Sequence, residues 1–278
     1  MCVLEFYVDD SGEPTDPNHD VISVAGYLGN VGGWTKFNEQ WSSALRWAEV
    51  PYFHMREFWN RDGIYKNLKQ DKTKEAQFLA LLIRAIGENL QFCASASIRL
   101  DDLNKFNTET GLSLDPYALA LYGCLIELRR ACPDDEIRII VDRTNNAAKK
   151  ITQAKKYAAT DTWADLKVAN FLITALEKQE SFKTVFPIQA ADFMASELRK
   201  SCQERIGWIP KEEDRENLSG RIASYAEWAF AFFLEQNRFP RERRSARNLD
   251  QAVSHFGYLW DFTNIMGAHE NRHKEGWG

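Results

Sequence analysis

The sequence predicts one α/β domain with additional helices, on three observations. Runs of β-branched and aromatic residues recur along the chain, stretches with helical spacing lie between them, and no repeat or low-complexity segment divides the 278 residues. A hydrophobic share of 44% with 13% aromatic residues is enough for a sizeable core and excludes a disordered or collagen-like chain.

The elements follow in order. Residues 2–9 (CVLEFYVD) read as a strand that stops at Asp-Asp-Ser-Gly, a turn-forming cluster. A polar loop with two prolines leads to a second strand at 21–28, which pairs with the first as an antiparallel hairpin. Residues 34–47 place Trp34, Phe37, Trp41 and Leu45 at helical spacing; a second helix spans 72–89, and 91–100 alternates as a strand. Asp115-Pro116 opens a helix running to about 131, with Pro in its first turn. A short strand covers 136–141, and a basic helix covers 144–159. Residues 171–177 are left between strand and helix end, because the segment is too short for a period to show. Pro187 begins a helix to about 204 whose apolar face is Ile188, Ala191, Ala195, Leu198 and Cys202. From 212 onward the chain reads as helical and aromatic.

Charge and cysteines narrow the function. The net charge of −5 excludes a protein that holds nucleic acid by bulk charge, so any such contact needs a local patch. Residues 1–139 carry 14 basic and 21 acidic side chains, a balance of −7, against 21 and 19, or +2, in 140–278. Basic residues gather at Lys149, Lys150, Lys155 and Lys156, and again at Arg238, Arg241, Arg243, Arg244 and Arg247; a solvated face is the ordinary reading of such runs. Five scattered cysteines without a Cys-x-x-Cys indicate neither a disulfide framework nor a thiolate zinc site. A reducing, cytoplasmic setting is the expectation. Neither a leader pattern nor an apolar run of ~18–20 residues is found, so no membrane partner is expected.

Three aspartates stand where α/β sheets bind ligands. Asp9 ends the first strand, Asp142 ends the strand Ile-Ile-Val, and Asp192 lies in the first turns of the late helix, ~80° from the centre of its apolar stripe. Strand alternation keeps Asp9 and Asp10 from pointing into one site unless the strand ends between them. On the same helical wheels Glu197 and Glu127 fall opposite the apolar faces and read as solvated. A carboxylate cluster suits hard Mg²⁺ or Mn²⁺ and phosphodiester chemistry. Singly, each aspartate also has a structural reading: a turn at Asp9, a cap for Thr144 at Asp142, an ion pair with Arg199 at Asp192.

The motifs add to this. Tyr-Val-Asp-Asp-Ser-Gly at 7–12 resembles the Asp-Glu-Ser-Gly signature that opens the family called domain of unknown function 3800. Phe-Pro-Ile-Gln-Ala-Ala-Asp-Phe-Met-Ala at 186–195 resembles its closing Leu-Gln-x-Ala-Asp motif, and Val-Asp at 141–142 matches its middle strand-end aspartate. The resemblance implies a ribonuclease H-like fold, a mixed five-stranded sheet flanked by helices, over residues 1–205. It leaves a helical insertion at about 31–89 and a helical extension at 206–278. It also implies that Asp9, Asp142 and Asp192 are metal ligands, with Asp10, which stands where the family has Glu, as a fourth catalytic acid.

The implied activity is that of a divalent-metal-dependent nuclease or phosphodiesterase using Mg²⁺ or Mn²⁺ on DNA or RNA. The alternative is an inactive binding module of the same fold, in a defence or mobile-element system. Substrate contacts are assigned to Ser11, His54, Gln189, Lys149 and Lys150, although His54 and Gln189 also read as packed or backbone-bonded residues. His269 and His273 lack a His-Glu-x-x-His context, and no P-loop, nucleophile elbow or dinucleotide fingerprint is present. The aromatic run at 225–260 reads as core or as a subunit interface, which would make a homodimer.

Overall fold

The computed structural model describes residues 4–60, 63–111, 113–142, 147–160, 171–176, 182–205 and 258–259. The chain begins with β1 (Leu4–Ser11) and β2 (Val21–Asn30), paired antiparallel from Leu4 opposite Asn30 to Ser11 opposite Ser23. β2 is buried along nearly its whole length, as a central strand with helices over both faces should be. At Gly26 a side chain would collide with the Tyr7 carbonyl and the Phe6 ring, so only glycine lets β1 approach so closely.

Helices α1 (Val31–Ala48), α2 (Met55–Asn60), α3 (Lys66–Lys69) and α4 (Lys72–Asn89) fill the stretch between β2 and β3 (Phe92–Arg99). The Asn30 side chain caps α1 by accepting from Gly33 N at 2.8 Å, and Asp71 caps α4 through the Thr73 and Lys74 amides. Helix α5 (Leu100–Thr110) follows, unread from the sequence, with Leu103 and Phe106 buried on its apolar face. Asp101 and Asp102 favour its start, and Gly111, at φ +69°, its end. α6 (Pro116–Ala131) is capped by Asp115, whose side chain accepts from Ala118 N at 2.8 Å. β4 (Ile137–Val141), α7 (Ala147–Thr160), β5 (Leu172–Ala175) and α8 (Phe186–Arg205) complete the main body. The undecided segment at 171–177 is thus the edge strand β5. The two residues of β6 (Tyr258–Leu259) pair with β3.

Strand order is β5-β4-β1-β2-β3-β6. β2 runs antiparallel to β1 and β3, while β1, β4 and β5 are parallel. This is the mixed five-stranded sheet of a ribonuclease H-like α/β fold, with β6 added at one edge. One core cluster joins Phe6, Val8, Val24 and Ile139 to Leu121, Leu125 and Ile126 of α6. The other joins Tyr27 to Trp34, Phe37 and Trp41 of α1, Leu79 and Leu82 of α4, and Ala190 of α8. The sheet therefore lies between α6 on one face and α8, backed by α1 and α4, on the other.

The described cysteines Cys93, Cys124, Cys132 and Cys202 are free thiols. Among the described residues no helix is long and apolar enough to cross a membrane. The arginine run at 238–247, His255, His269, His273 and the aromatic run at 225–233 lie outside the described residues, as does nearly all of the expected helical extension.

Candidate functional site

β1 is longer than its parallel neighbour, and the difference opens a site. Pairing with β4 ends at Val8 opposite Val141, after which Asp142 N donates to Val8 O at 3.1 Å. Asp9 and Asp10 project beyond that point with β2 on one side only. Alternation assigns their faces. Phe6 and Val8 pack toward α6, whereas the Ser11 hydroxyl lies 3.3 Å from that of Ser196 on α8. Asp9, in phase with Ser11, therefore faces α8, and Asp10 the side of α6 and α7. Ile140 packs with Ile188 of α8 while Ile139 and Val141 pack toward α6, so Asp142 continues the α8 face. Gly12 closes the strand at φ +105°, where a Cβ would sit 2.6 Å from Val21 O. This accounts for the glycine of the Ser-Gly pair.

Helix α8 supplies the third aspartate. Asp192 is 8% exposed; one of its oxygens accepts from Met55 N at 2.7 Å and the other from Ser196 Oγ at 3.3 Å. Burial pushes the Asp9 carboxyl well above the usual range, and repulsion from Asp10, Asp142 and Asp192 pushes it further. Asp10 is raised to about 6, first by burial and then by Asp142, Asp192 and Asp115, against the pull of Lys150. Asp192 is raised by burial, opposed by the Met55 amide, His54, Ser196 and Lys200. Carboxylates from β1, the end of β4 and α8 therefore share one neighbourhood, with Asp10 reaching it from the opposite face.

The remaining assigned residues divide. Ser11 accepts from Arg199 Nε at 3.0 Å, which makes a chain Arg199–Ser11–Ser196–Asp192. Arg199 thus bonds Ser11, not Asp192. His54 sets Nδ1 3.3 Å from Glu57 and its ring against Phe182. Lys150 stands 3.9 Å from the centre of the Tyr117 ring and acts on Asp10, whereas Lys149 is exposed.

Two expectations need correction. Gln189 is fully buried and has no group left for substrate. Its Oε1 accepts from Trp41 Nε1 and Phe53 N, and its Nε2 donates to the carbonyls of Phe182 and Lys183. Glu197 is not solvated either: it accepts from Trp59 Nε1 at 3.2 Å and pairs with Lys200 at 3.5 Å. Asp115, Ser196 and Lys200 went unnoticed as neighbours of the cluster. The Asp-Pro cap announces Asp115, and i+4 and i+8 spacing from Asp192 announces Ser196 and Lys200.

Among the described residues no group of three or more His, Cys, Asp or Glu side chains is positioned to hold a metal ion as it stands. The fit to a hard dication is one of donor chemistry. Buried carboxylates repel one another, and the positive groups acting on them are Lys150, His54 and the largely buried Lys200. Drawing three of them together takes a counter-charge.

No protein-family model matches the chain, and no curated protein does. Among solved structures the chain is similar to a mutant of Bst-RNase HIII, at 15% identity and a TM-score of 0.40, over 74% of this chain and 56% of that one. It thus spans little more than half of that protein. It is also similar to RNase HII of Archaeoglobus fulgidus, solved in complex with PCNA, at 15% identity and a TM-score of 0.37. That match covers 85% of this chain and 91% of the other. Likenesses this distant carry no statement about activity; the fold rests on the strand order and directions above.

Proposed function

We propose that the protein is a divalent-metal-dependent phosphodiester hydrolase of ribonuclease H-like type that acts on nucleic acid. Its kinship with the domain of unknown function 3800 family rests on the two motifs. The observation that carries the reading is the burial of Asp9 and Asp192, with the half-buried Asp142 acting on Asp9 from the end of β4, so that repulsion among them asks for a cation. These three would hold Mg²⁺ or Mn²⁺, with Asp10 acting on them from the opposite face of β1. Bound there, such an ion supplies Lewis-acid stabilisation of the phosphate and an activated water.

The chain's own part is orientation. The Asp10 amide donates to Asp9 Oδ1 at 2.8 Å, while Met55 N and Ser196 fix the two oxygens of Asp192. Lys150, on the Asp10 side, offers positive charge to an incoming phosphate. A binding module without catalysis is the second reading, favoured by the lack of a ready metal cage among the described residues.

Cleavage of labelled DNA and RNA with Mn²⁺, compared with Asp9→Asn and Asp192→Asn, separates the two. The hydrolase reading predicts Mn²⁺-dependent cleavage that both variants lose by more than the ~10–100-fold typical of an outer-sphere partner. Binding without cleavage, unchanged in both variants, supports the module.

A further inference from the structure

Residues 52–54 lie between α1 and α2, outside any helix or strand, and their side chains divide cleanly. Phe53 is fully buried in the aromatic core, while Tyr52 and His54 on either side of it are half-exposed. Both rings reach one place on the surface. Phe182 meets both there: its ring centre lies 5.7 Å from Tyr52, edge to face, and 4.9 Å from His54. Lys183 is exposed, with Nζ 4.7 Å from the centre of the Tyr52 ring.

The trio is anchored more firmly than rim side chains require. Gln189 ties both segments together, accepting from Phe53 N at 2.9 Å and donating to the Phe182 and Lys183 carbonyls at 2.8 and 3.3 Å. Glu57 holds two of the rings, accepting from the Tyr52 hydroxyl at 2.8 Å and lying 3.3 Å from His54 Nδ1. One residue further on, Met55 N is bonded to Asp192. A fixed, half-exposed aromatic surface, with the Lys183 ammonium over its Tyr52 and Phe182 rings, thus adjoins the carboxylates.

Flat rings and a nearby cation suit one ligand chemistry. An unpaired nucleobase stacks on aromatic faces while its phosphate seeks positive charge, and a base inside a duplex offers no free face. We propose that Tyr52, His54 and Phe182 form a stacking platform for an unpaired nucleobase, so that the substrate of the carboxylate site is single-stranded nucleic acid. The inference rests on the nuclease reading and specifies its substrate. Glu57 repels phosphate, which leaves Lys183 as the group at the trio to receive the backbone.

The test is fluorescence anisotropy of the full chain in Ca²⁺ with three labelled probes: a homothymidine strand, an abasic strand of equal length, and a fully paired duplex. The thymidine strand should bind about tenfold tighter than the abasic strand, the scale of stacking one or two bases. Phe182→Leu, which keeps apolar bulk without the ring, should remove that difference while leaving abasic-strand affinity and Tm as they are. Equal binding of thymidine and abasic strands by the unaltered chain, or tighter binding of duplex, overturns the platform and leaves the nuclease reading standing. Failure to bind any strand, together with absence of cleavage, overturns both.

Discussion

At Asp9, burial and three neighbouring carboxylates act in the same direction, so the ionised form is held at a cost that substitution can measure. Asp9→Asn keeps an oxygen for the Asp10 amide and removes the charge. The metal-free variant should melt at or above the temperature of the unaltered chain, while Mn²⁺ no longer raises its Tm; both are read by calorimetry. Gln189 behaves oppositely. Gln189→Leu strands the Trp41 indole N–H and the Phe53 amide in the core, at about 1–3 kcal/mol each, so unfolding in urea should show a loss of roughly 2–5 kcal/mol. A loss under about 0.5 kcal/mol would mean that Gln189 is not the buried tie described here. The sequence singled out the three aspartates because strand ends and first helical turns show up as local pattern. It could not separate a buried glutamine with four partners from an exposed one, since those partners lie up to 148 residues away.

Elements with a full period were legible: β1, β2, α1, α4, α6 and α8 stand within a few residues of the spans their apolar spacing predicts. α5 went unread although Leu100, Leu103 and Phe106 stand at helical spacing, because three apolar residues in a polar stretch make a short signal, and β5 is too short, at four residues, to display alternation. What no single element reveals is that α8 works through a stripe. Asp192, Ser196 and Arg199 follow one face at i, i+4 and i+7, and Ser11 of β1 closes the chain between the last two. Ser196→Ala removes a hydrogen bond to Asp192 and no charge. It should weaken Mn²⁺ binding about tenfold by titration calorimetry, with little change in Tm. Unaltered affinity would show that the stripe does not orient the carboxylate.

For the molecule as a whole, the acidic balance and the buried carboxylates tie stability to pH and to cations. Asp10 is raised from 3.8 to about 6, so its ionisation costs nothing below the unfolded value and its full penalty, on the order of 3 kcal/mol, above the folded one. Metal-free stability from this group should fall as pH rises from about 4 to 6, and Asp10→Asn should flatten that fall in denaturant titrations. A net charge of −5 also means that nucleic acid must approach through local cations. Four or five phosphate contacts to a single strand predict a log–log salt slope of about −3, and Lys149→Glu with Lys150→Glu should make it shallower. The central claim is that Asp9, Asp142 and Asp192 close around a divalent ion, and anomalous scattering from a crystal soaked in Mn²⁺ tests it most directly. The account predicts a peak shared by these three carboxylates and its disappearance in Asp9→Asn; a crystal with no peak there, or with Mn²⁺ bound elsewhere, would contradict it.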